Sequence, residues 1–211
     1  MQRVALHVEP LDVGDAANAR DLLVIDEEER RKAARFRFDR DARRFVARRA
    51  RLRMLLAPYT GEAPERLCFA LGPHGKPVLG QGAPHFSLSH SQGVLMLAIA
   101  DVAVGCDIEA IDPDLDWQPL AERLFAPAER EALRLLPAAA ARRGFFDCWS
   151  RKEAYVKALG QGLSHPLDIF TVSVGREAQL CAEDGWAIVD ASPDRHFSAA
   201  VVARADAIVL A

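Results

Sequence analysis

Val94-Leu95-Met96-Leu97-Ala98-Ile99-Ala100, then Val102-Ala103-Val104, leads directly into Gly105-Cys106-Asp107-Ile108-Glu109. The run is apolar until its end, where two carboxylates appear at i and i+2. On a strand, residues two apart share a face and lie roughly 6.6 Å apart. Asp107 and Glu109 therefore project side by side from a segment whose other members read as buried. Like charges that close repel, and in half-dry surroundings at least one must stay protonated. A divalent cation removes that conflict, so a metal site is the first reading of the pair.

A second stretch, Trp149-Ser150-Arg151-Lys152-Glu153-Ala154-Tyr155-Val156-Lys157, supports it. Phe145, Phe146, Trp149, Val156 and Leu159 fall at helical spacing, and Gly160 follows where a left-handed cap ends a helix. Lys152 and Glu153 lie between Trp149 and Val156 on the same face, where the stripe calls for apolar residues. A charged pair on the core side of a helix is costly unless it is paired or ligated. Glu153 and Lys157, four apart, are neighbours. Alone they read as a simple helix ion pair; beside the Asp-x-Glu strand they read as part of one charged site.

With 211 residues, 50% of them hydrophobic, the chain can form one large domain or two small ones. The net charge of −3 selects no partner, but its distribution is uneven. Between Arg30 and Arg53 stand twelve Lys and Arg residues, opposed within that stretch only by Asp39 and Asp41. Interleaved Phe36, Phe38, Phe45, Val46, Leu52 and Leu55 mark amphipathic helix, with the phenylalanines as core. Such a face is either solvated or suited to a polyanion. Cys68, Cys106, Cys148 and Cys181 show no C-x-x-C spacing, which argues against disulfides and structural zinc; Cys106 and Cys148 read as small core residues. Glu9 and Pro10 interrupt the start of the chain where a signal peptide needs an apolar stretch. No apolar run approaches spanning length. A soluble, cytoplasmic protein with no membrane partner is expected.

Strands are expected at 4–8, 85–91, 94–100 and 101–110, and again near 168–174, 186–189 and 196–204. Helices are expected over 27–57, broken near Asp39, and over 120–136 and 145–159. Helices and antiparallel strands come in blocks, which argues for an α+β fold over a doubly wound sheet. Gly72 to Pro77 is too short for a phosphate-binding P-loop and puts Pro77 where a hydroxyl is needed, though Lys76 suits a phosphate contact. Ser87, Ser89 and Ser91 flank His90 without a hydrolase elbow, but their hydroxyls suit a phosphate.

Gly105-x-Asp107-x-Glu109 followed by Trp149-x-x-Lys152-Glu153-Ala154-x-x-Lys157 resembles the paired signatures of the 4′-phosphopantetheinyl transferases, in their larger, surfactin-synthetase-activating (Sfp-type) branch. Gly75-Lys76-Pro77, Phe86-Ser87-Leu88-Ser89-His90-Ser91 and Gly160-x-Gly162-Leu163 resemble further family segments. The order and spacing fit from about residue 32 to 170. The resemblance implies two pseudo-symmetric α/β halves, 1–103 and 104–211, with the active site in the cleft between them. The first half would make the nucleotide contacts of coenzyme A; the second would hold magnesium and the diphosphate. Asp107, Glu109 and Glu153 would hold Mg²⁺. A serine of an apo acyl or peptidyl carrier protein would attack the phosphorus bearing the pantetheine arm, releasing 3′,5′-ADP. Lys76, Ser89 and His90 would contact the nucleotide phosphates, Lys152 and Lys157 the diphosphate, with Lys32 and Arg35 contributing from the basic helices. A monomer suffices, and no nucleic acid is implied. Two departures stand out: Phe45 replaces a hydroxyl residue often used for the 3′-phosphate, and Gln161 replaces a lysine.

The residues themselves agree on the chemistry. Magnesium prefers oxygen ligands and joins carboxylates to substrate phosphates. Lys157 would stabilise charge on the leaving group, and Glu153 or a metal-bound water would take the serine proton. Ser91→Ala is expected to lose little. Two other classes fit parts of the pattern. A metal-dependent phosphodiesterase or nuclease would use the same carboxylates, with the arginines tracking a backbone. A non-catalytic adaptor for acidic proteins would use the basic face but leave the carboxylates unexplained.

Overall fold

In the computed structural model, which describes residues 1–211 apart from 163, 164, 176 and 183, the chain runs twice through one plan: strand, helices, short hairpin, two strands. The first pass is β1 (Gln2–Pro10), α1 (Asp15–Val24), α2 (Glu27–Ala33), α3 (Asp39–Thr60), β2 (Ala70–Leu71), β3 (Pro77–Val78), β4 (His85–Ser91) and β5 (Val94–Ala100). The second is β6 (Val104–Ala110), α4 (Gln118–Leu124), α5 (Pro127–Leu135), α6 (Ala138–Leu159), β7 (Thr171–Val172), β8 (Leu180–Cys181), β9 (Ala187–Asp190) and β10 (Phe197–Ala203). In each pass the first strand pairs antiparallel with the last, and the last with the one before it: β1–β5–β4 and β6–β10–β9. A final strand, β11 (Ile208–Leu210), returns to pair parallel with β1. The α+β expectation, with two halves of like plan, is borne out.

Alternation along the strands builds the layers. Val104, Cys106 and Ile108 face inward, packing with Val4, Met96, Ala98 and Val201 between the two sheets. Leu95, Leu97 and Ile99 face the other way, under Leu52 and Leu56 of α3. Ala200 and Val202 sit under α6, with Phe145, Tyr155 and Val156. The two sheets meet along β4 and β6, where serine hydroxyls take over from backbone pairing. Ser87 Oγ accepts from Cys106 N and Ser91 Oγ from Ala110 N, both at 3.0 Å.

Local chemistry sets the helix limits. Asp26 caps α2: its carboxylate accepts from Glu29 N at 2.8 Å while Glu29 accepts from Asp26 N at 3.0 Å. The break near Asp39 is present, but 120–136 is two helices. Pro127 opens α5, where its missing N–H costs nothing, and Glu129 accepts from Ala126 N at 2.8 Å. Both 22-residue helices, α3 and α6, end on a left-handed glycine, Gly61 and Gly160.

The basic segment departs from expectation. Phe45 is buried, but Phe36 and Phe38 are 40% and 57% exposed, because they lie in the connection between α2 and α3. Nor do most of the arginines of α3 form an open cationic face. Arg44 grips Asp12 with two bonds of 2.6 Å, and Arg51 reaches Asp21 at 3.1 Å. Buried Arg53 holds Asp26 at 2.5 Å and Glu29 at 2.9 Å, while Arg43 and Arg49 pair with Asp15 and Glu29. The counter-charges come from residues 12–29, outside the stretch that looked unopposed. Cys106 and Cys148 are buried free thiols. Among the described residues no helix is long and apolar enough to cross a membrane.

Candidate active site

Gly105 lets α6 lie directly on β6. A β-carbon there would stand 2.0 Å from the Ala154 carbonyl oxygen and 2.3 Å from Ala158 N, distances that only a hydrogen can occupy. With Val104, Cys106 and Ile108 turned inward, Gly105, Asp107 and Glu109 share the face toward α6. That contact brings Asp107 and Glu109 beside Glu153 and Lys157, one helical turn apart. All four line a cavity of about 340 Å³, together with Leu88, Ser89, His90 and Trp149. The strand pair and the helix pair thus belong to one site.

Asp107 is 2% exposed. Its Oδ1 accepts from Ser89 Oγ at 2.7 Å and from Lys157 Nζ at 2.6 Å, and Ser89 Oγ also accepts from Lys157 at 2.9 Å. Lys157 therefore pairs across to the strand, not along the helix to Glu153. Burial works against the ammonium, but the negative Asp107 beside it wins and raises its pKa. Glu109 accepts from Ser91 Oγ at 3.1 Å. Burial, then the charge of Asp107, pushes its carboxyl up to about 7. The same two causes, in the same order, raise Glu153.

Among the described residues no three Asp, Glu, His or Cys side chains are gathered closely enough to hold a metal as they stand. The donors nonetheless fit a hard cation. Three carboxylates, two with raised pKa values, line one cavity, and Asp107 Oδ2 is buried with no hydrogen-bond partner among the described residues. A buried carboxylate oxygen without a donor is costly, and a cation bound by oxygen would satisfy it.

A second cavity, of about 320 Å³, shares Leu88, His90 and Lys157 with the first and runs on to Arg48, Lys76, Gly160 and Gly162. A third, of about 260 Å³, continues past Arg48 and His90 to Phe36, Phe45 and Gln92. Arg48 Nη1 donates to His90 Nε2. Burial first, then the positive Arg48 and Lys157, holds the His90 imidazole down to about 4. His90 is therefore neutral at physiological pH, with Nε2 as acceptor. The described partners of Arg48, His90 and the Phe45 ring 5.4 Å from its guanidinium carbon, are both neutral, unlike those of Arg43, Arg44, Arg49, Arg51 and Arg53. Sequence reasoning missed it. Its position three residues after Phe45, on the same face of α3, was legible, but twelve cations in one stretch gave no ground to choose it.

Other sequence-predicted residues fall elsewhere. Lys152 is fully buried on the far side of α6, paired with Glu129 at 2.7 Å and donating to Leu167 O and Phe170 O at 2.6 and 2.8 Å. It is not a diphosphate contact: adjacent residues on a helix point about 100° apart, so Glu153 faces the cavity and Lys152 faces the core. Ser89 lines the carboxylate cavity and orients Asp107, while Ser87 and Ser91 bond to β6; their hydroxyls are committed within the protein. Lys76 lines the second cavity, but its ammonium donates to Val104 O and Lys157 O at 2.8 and 2.7 Å. Lys32 is exposed above the Phe45 ring, 5.5 Å from its centroid. Arg35, also exposed, lines none of these cavities. The glycine pair is represented by Gly160 and Gly162; Leu163 lies outside the described residues.

The sequence profile of the 4′-phosphopantetheinyl transferase superfamily matches residues 103–208. The 4′-phosphopantetheinyl transferase HetI of a Nostoc species is 34% identical over 198 residues, spanning 91% of this chain and 84% of its own. The transferase psf-1 of Bacillus pumilus is 36% identical over 183 residues, 85% of this chain and 77% of its own. The transferase Sfp of Bacillus subtilis is 30% identical over 168 residues, 79% and 74%. The profile covers the second pass of the fold, the relatives extend the likeness across most of the first, and the chain belongs to the 4′-phosphopantetheinyl transferase superfamily.

Proposed function

We propose that this chain moves the 4′-phosphopantetheine arm of coenzyme A onto a serine of an apo acyl or peptidyl carrier protein. One observation carries the reading: a carboxylate cavity and a cationic cavity lie side by side and share Leu88, His90 and Lys157. A diphosphate-linked nucleotide needs both. The division of labour we propose puts the nucleotide against residues 1–103 and the diphosphate against residues 104–211.

Asp107, Glu109 and Glu153 are the residues that would hold Mg²⁺. Bound there, the ion supplies charge neutralisation for the diphosphate. Everything else falls to the chain. Lys157, held between Asp107 and Ser89, presents its remaining N–H to a phosphate oxygen and stays charged as the leaving group gains charge. In the reaction the serine oxygen bonds to the phosphorus bearing the pantetheine arm. The bond from that phosphorus to the oxygen of 3′,5′-ADP breaks. Glu153, on the wall of the same cavity, accepts the serine proton. Leu88 and Trp149 give the cavity its apolar wall. Arg48 supplies the cation for the nucleotide phosphates at the place where Phe45 brings no hydroxyl. Neutral His90 orients that guanidinium, and Lys32 and Arg35 add attraction from the rim.

A monomer working in the cytoplasm is in keeping with four free thiols and with two halves in one chain. The pairing of five α3 arginines, Arg43, Arg44, Arg49, Arg51 and Arg53, with residues 12–29 weighs against a nucleic-acid track. The test is incubation with an apo carrier protein, coenzyme A and Mg²⁺, followed by intact mass. A gain of one phosphopantetheine on the carrier supports the reading. No gain across fatty-acid, polyketide and peptide carriers defeats it.

A further inference from the structure

We propose that Lys76 is a positioning residue: it pins the 72–77 turn to β6 and to the end of α6, and so sets Lys157 against Asp107. The inference rests on the transferase reading above but departs from the phosphate contact that the family resemblance implies for this lysine. Its ammonium donates to two backbone carbonyls, Val104 O at 2.8 Å and Lys157 O at 2.7 Å. An ammonium has three donors, so most of its hydrogen-bonding capacity is spent inside the protein. The two acceptors are the first residue of the strand that bears Asp107 and a residue in the last turn of the helix that bears Lys157.

The end of a helix is a natural seat for a cation. The last carbonyls lack helical partners and carry the negative end of the macrodipole. Here the cation comes from the other half of the molecule. The turn that delivers it is closed on itself, with Gly72 N donating to Lys76 O at 2.8 Å and Gly75 N to Gly72 O at 2.9 Å. It is also seated on the loop after α6. A β-carbon on Gly162, which has φ of 63°, would meet His74 Cβ at 3.2 Å and His74 O at 3.3 Å. The 72–77 turn thus meets the end of α6 and the loop after it at two points, Lys76 on Lys157 O and His74 against Gly162, and Lys76 is the polar one.

Residue 157 is then held twice. Lys76 takes its carbonyl, while Asp107 and Ser89 take its side chain. Removing the pin frees the last turn of α6 to shift relative to β6, and a displacement of about 1 Å costs about 10²-fold in rate. Binding of coenzyme A, which depends on Arg48 and the nucleotide cavity, is left largely intact.

The experiment is a double-mutant cycle on the full chain with Lys76→Met, Lys157→Met and the pair, each checked for folding by circular dichroism and thermal melting. Coenzyme A affinity is measured by calorimetry without carrier, and kcat and KM with apo carrier and Mg²⁺. Lys76→Met is expected to lower kcat about 10²-fold while the coenzyme A Kd moves by less than about threefold, under 1 kcal/mol. The double variant is expected to be no slower than Lys157→Met, as for residues that act as a unit. A tenfold or greater weakening of coenzyme A binding with kcat preserved would overturn the pin, as would losses that multiply in the double variant. If Lys76→Met does not fold, Lys76→Gln is taken through the same cycle with the same outcomes. The two readings fail separately. No transfer by wild type sinks the transferase reading, whereas normal transfer by wild type with a binding defect in the variant sinks only the pin.

Discussion

Gly105 and Ala154 touch backbone to backbone: a β-carbon on the glycine would fall 2.0 Å from the alanine's carbonyl oxygen. This contact, more than any polar bond, puts the helix pair over the strand pair. Gly105→Ala must push α6 off β6, a forced repacking that costs about 1–3 kcal/mol. Denaturant unfolding should show a lower midpoint, and transfer should fall with it because Lys157 and Asp107 separate. An unchanged midpoint would mean that the two elements tolerate a gap the geometry denies.

Arg48 should govern coenzyme A affinity. A lost charge-assisted bond of about 1.5–3 kcal/mol corresponds to a Kd weakened by roughly tenfold or more in Arg48→Ala, with kcat little altered. Calorimetry reads this directly. Unaltered affinity would show that the guanidinium serves only His90.

The carboxylates should behave as a set. Glu153→Gln is expected to slow transfer by about 10²–10⁴-fold, the range for loss of a general base. Titrating Mg²⁺ should raise the melting midpoint of wild type, since an ion that binds only the folded state stabilises it. Asp107→Asn should abolish that rise. Ser91→Ala, which from sequence alone would lose little, removes the bond of 3.1 Å that orients Glu109. A hydrogen bond of about 1 kcal/mol makes the expected loss about fivefold. A melting midpoint indifferent to Mg²⁺ would count against the metal assignment.

His90 gives a pH dependence of defined sign. Its pKa is about 4 folded against 6.5 for the free side chain. Between those values the unfolded chain binds the proton more readily than the folded one. His90 therefore causes no loss of stability above pH 6.5, and stability declines as the pH falls from 6.5 toward 4. His90→Gln should flatten that limb of the stability curve. Equal slopes in the two proteins would place the proton elsewhere.

Lys152 should matter for folding and not for coenzyme binding. Breaking its buried pair with Glu129 leaves an uncompensated charge, a loss of about 3–5 kcal/mol for Lys152→Met. Refolded protein that survives should bind coenzyme A with near wild-type affinity. Weakened binding without loss of stability would restore the phosphate role that its buried position argues against.

Much of the site was legible along the chain. Period-2 reading put Asp107 and Glu109 on one face, and the 3.6-residue period put Glu153 near Lys157; both hold. The same reading could not separate Lys152 from Glu153, because a stripe of mixed residues does not say which of two adjacent charges faces a cavity and which a partner across the core. Lys152 finds Glu129 from α5, and that pairing is long-range. The arginine stretch misled for a related reason. Its counter-charges sit on α1 and α2 and in the connections before and between them, where linear counting between residues 30 and 53 does not look.

By itself the sequence determined the strand and helix periods, the left-handed stop at Gly160, and the ordered set of motifs that marks the family, since each is a property of neighbouring residues. Only the tertiary structure decided that Gly105 admits α6, that Lys157 bonds to Asp107 instead of Glu153, that Arg48 has no carboxylate partner among the described residues, and that Lys76 spends its donors on backbone carbonyls. Those outcomes depend on which distant groups arrive within hydrogen-bond or van der Waals reach. That is set by how two sheets and two long helices pack, a matter no local pattern records.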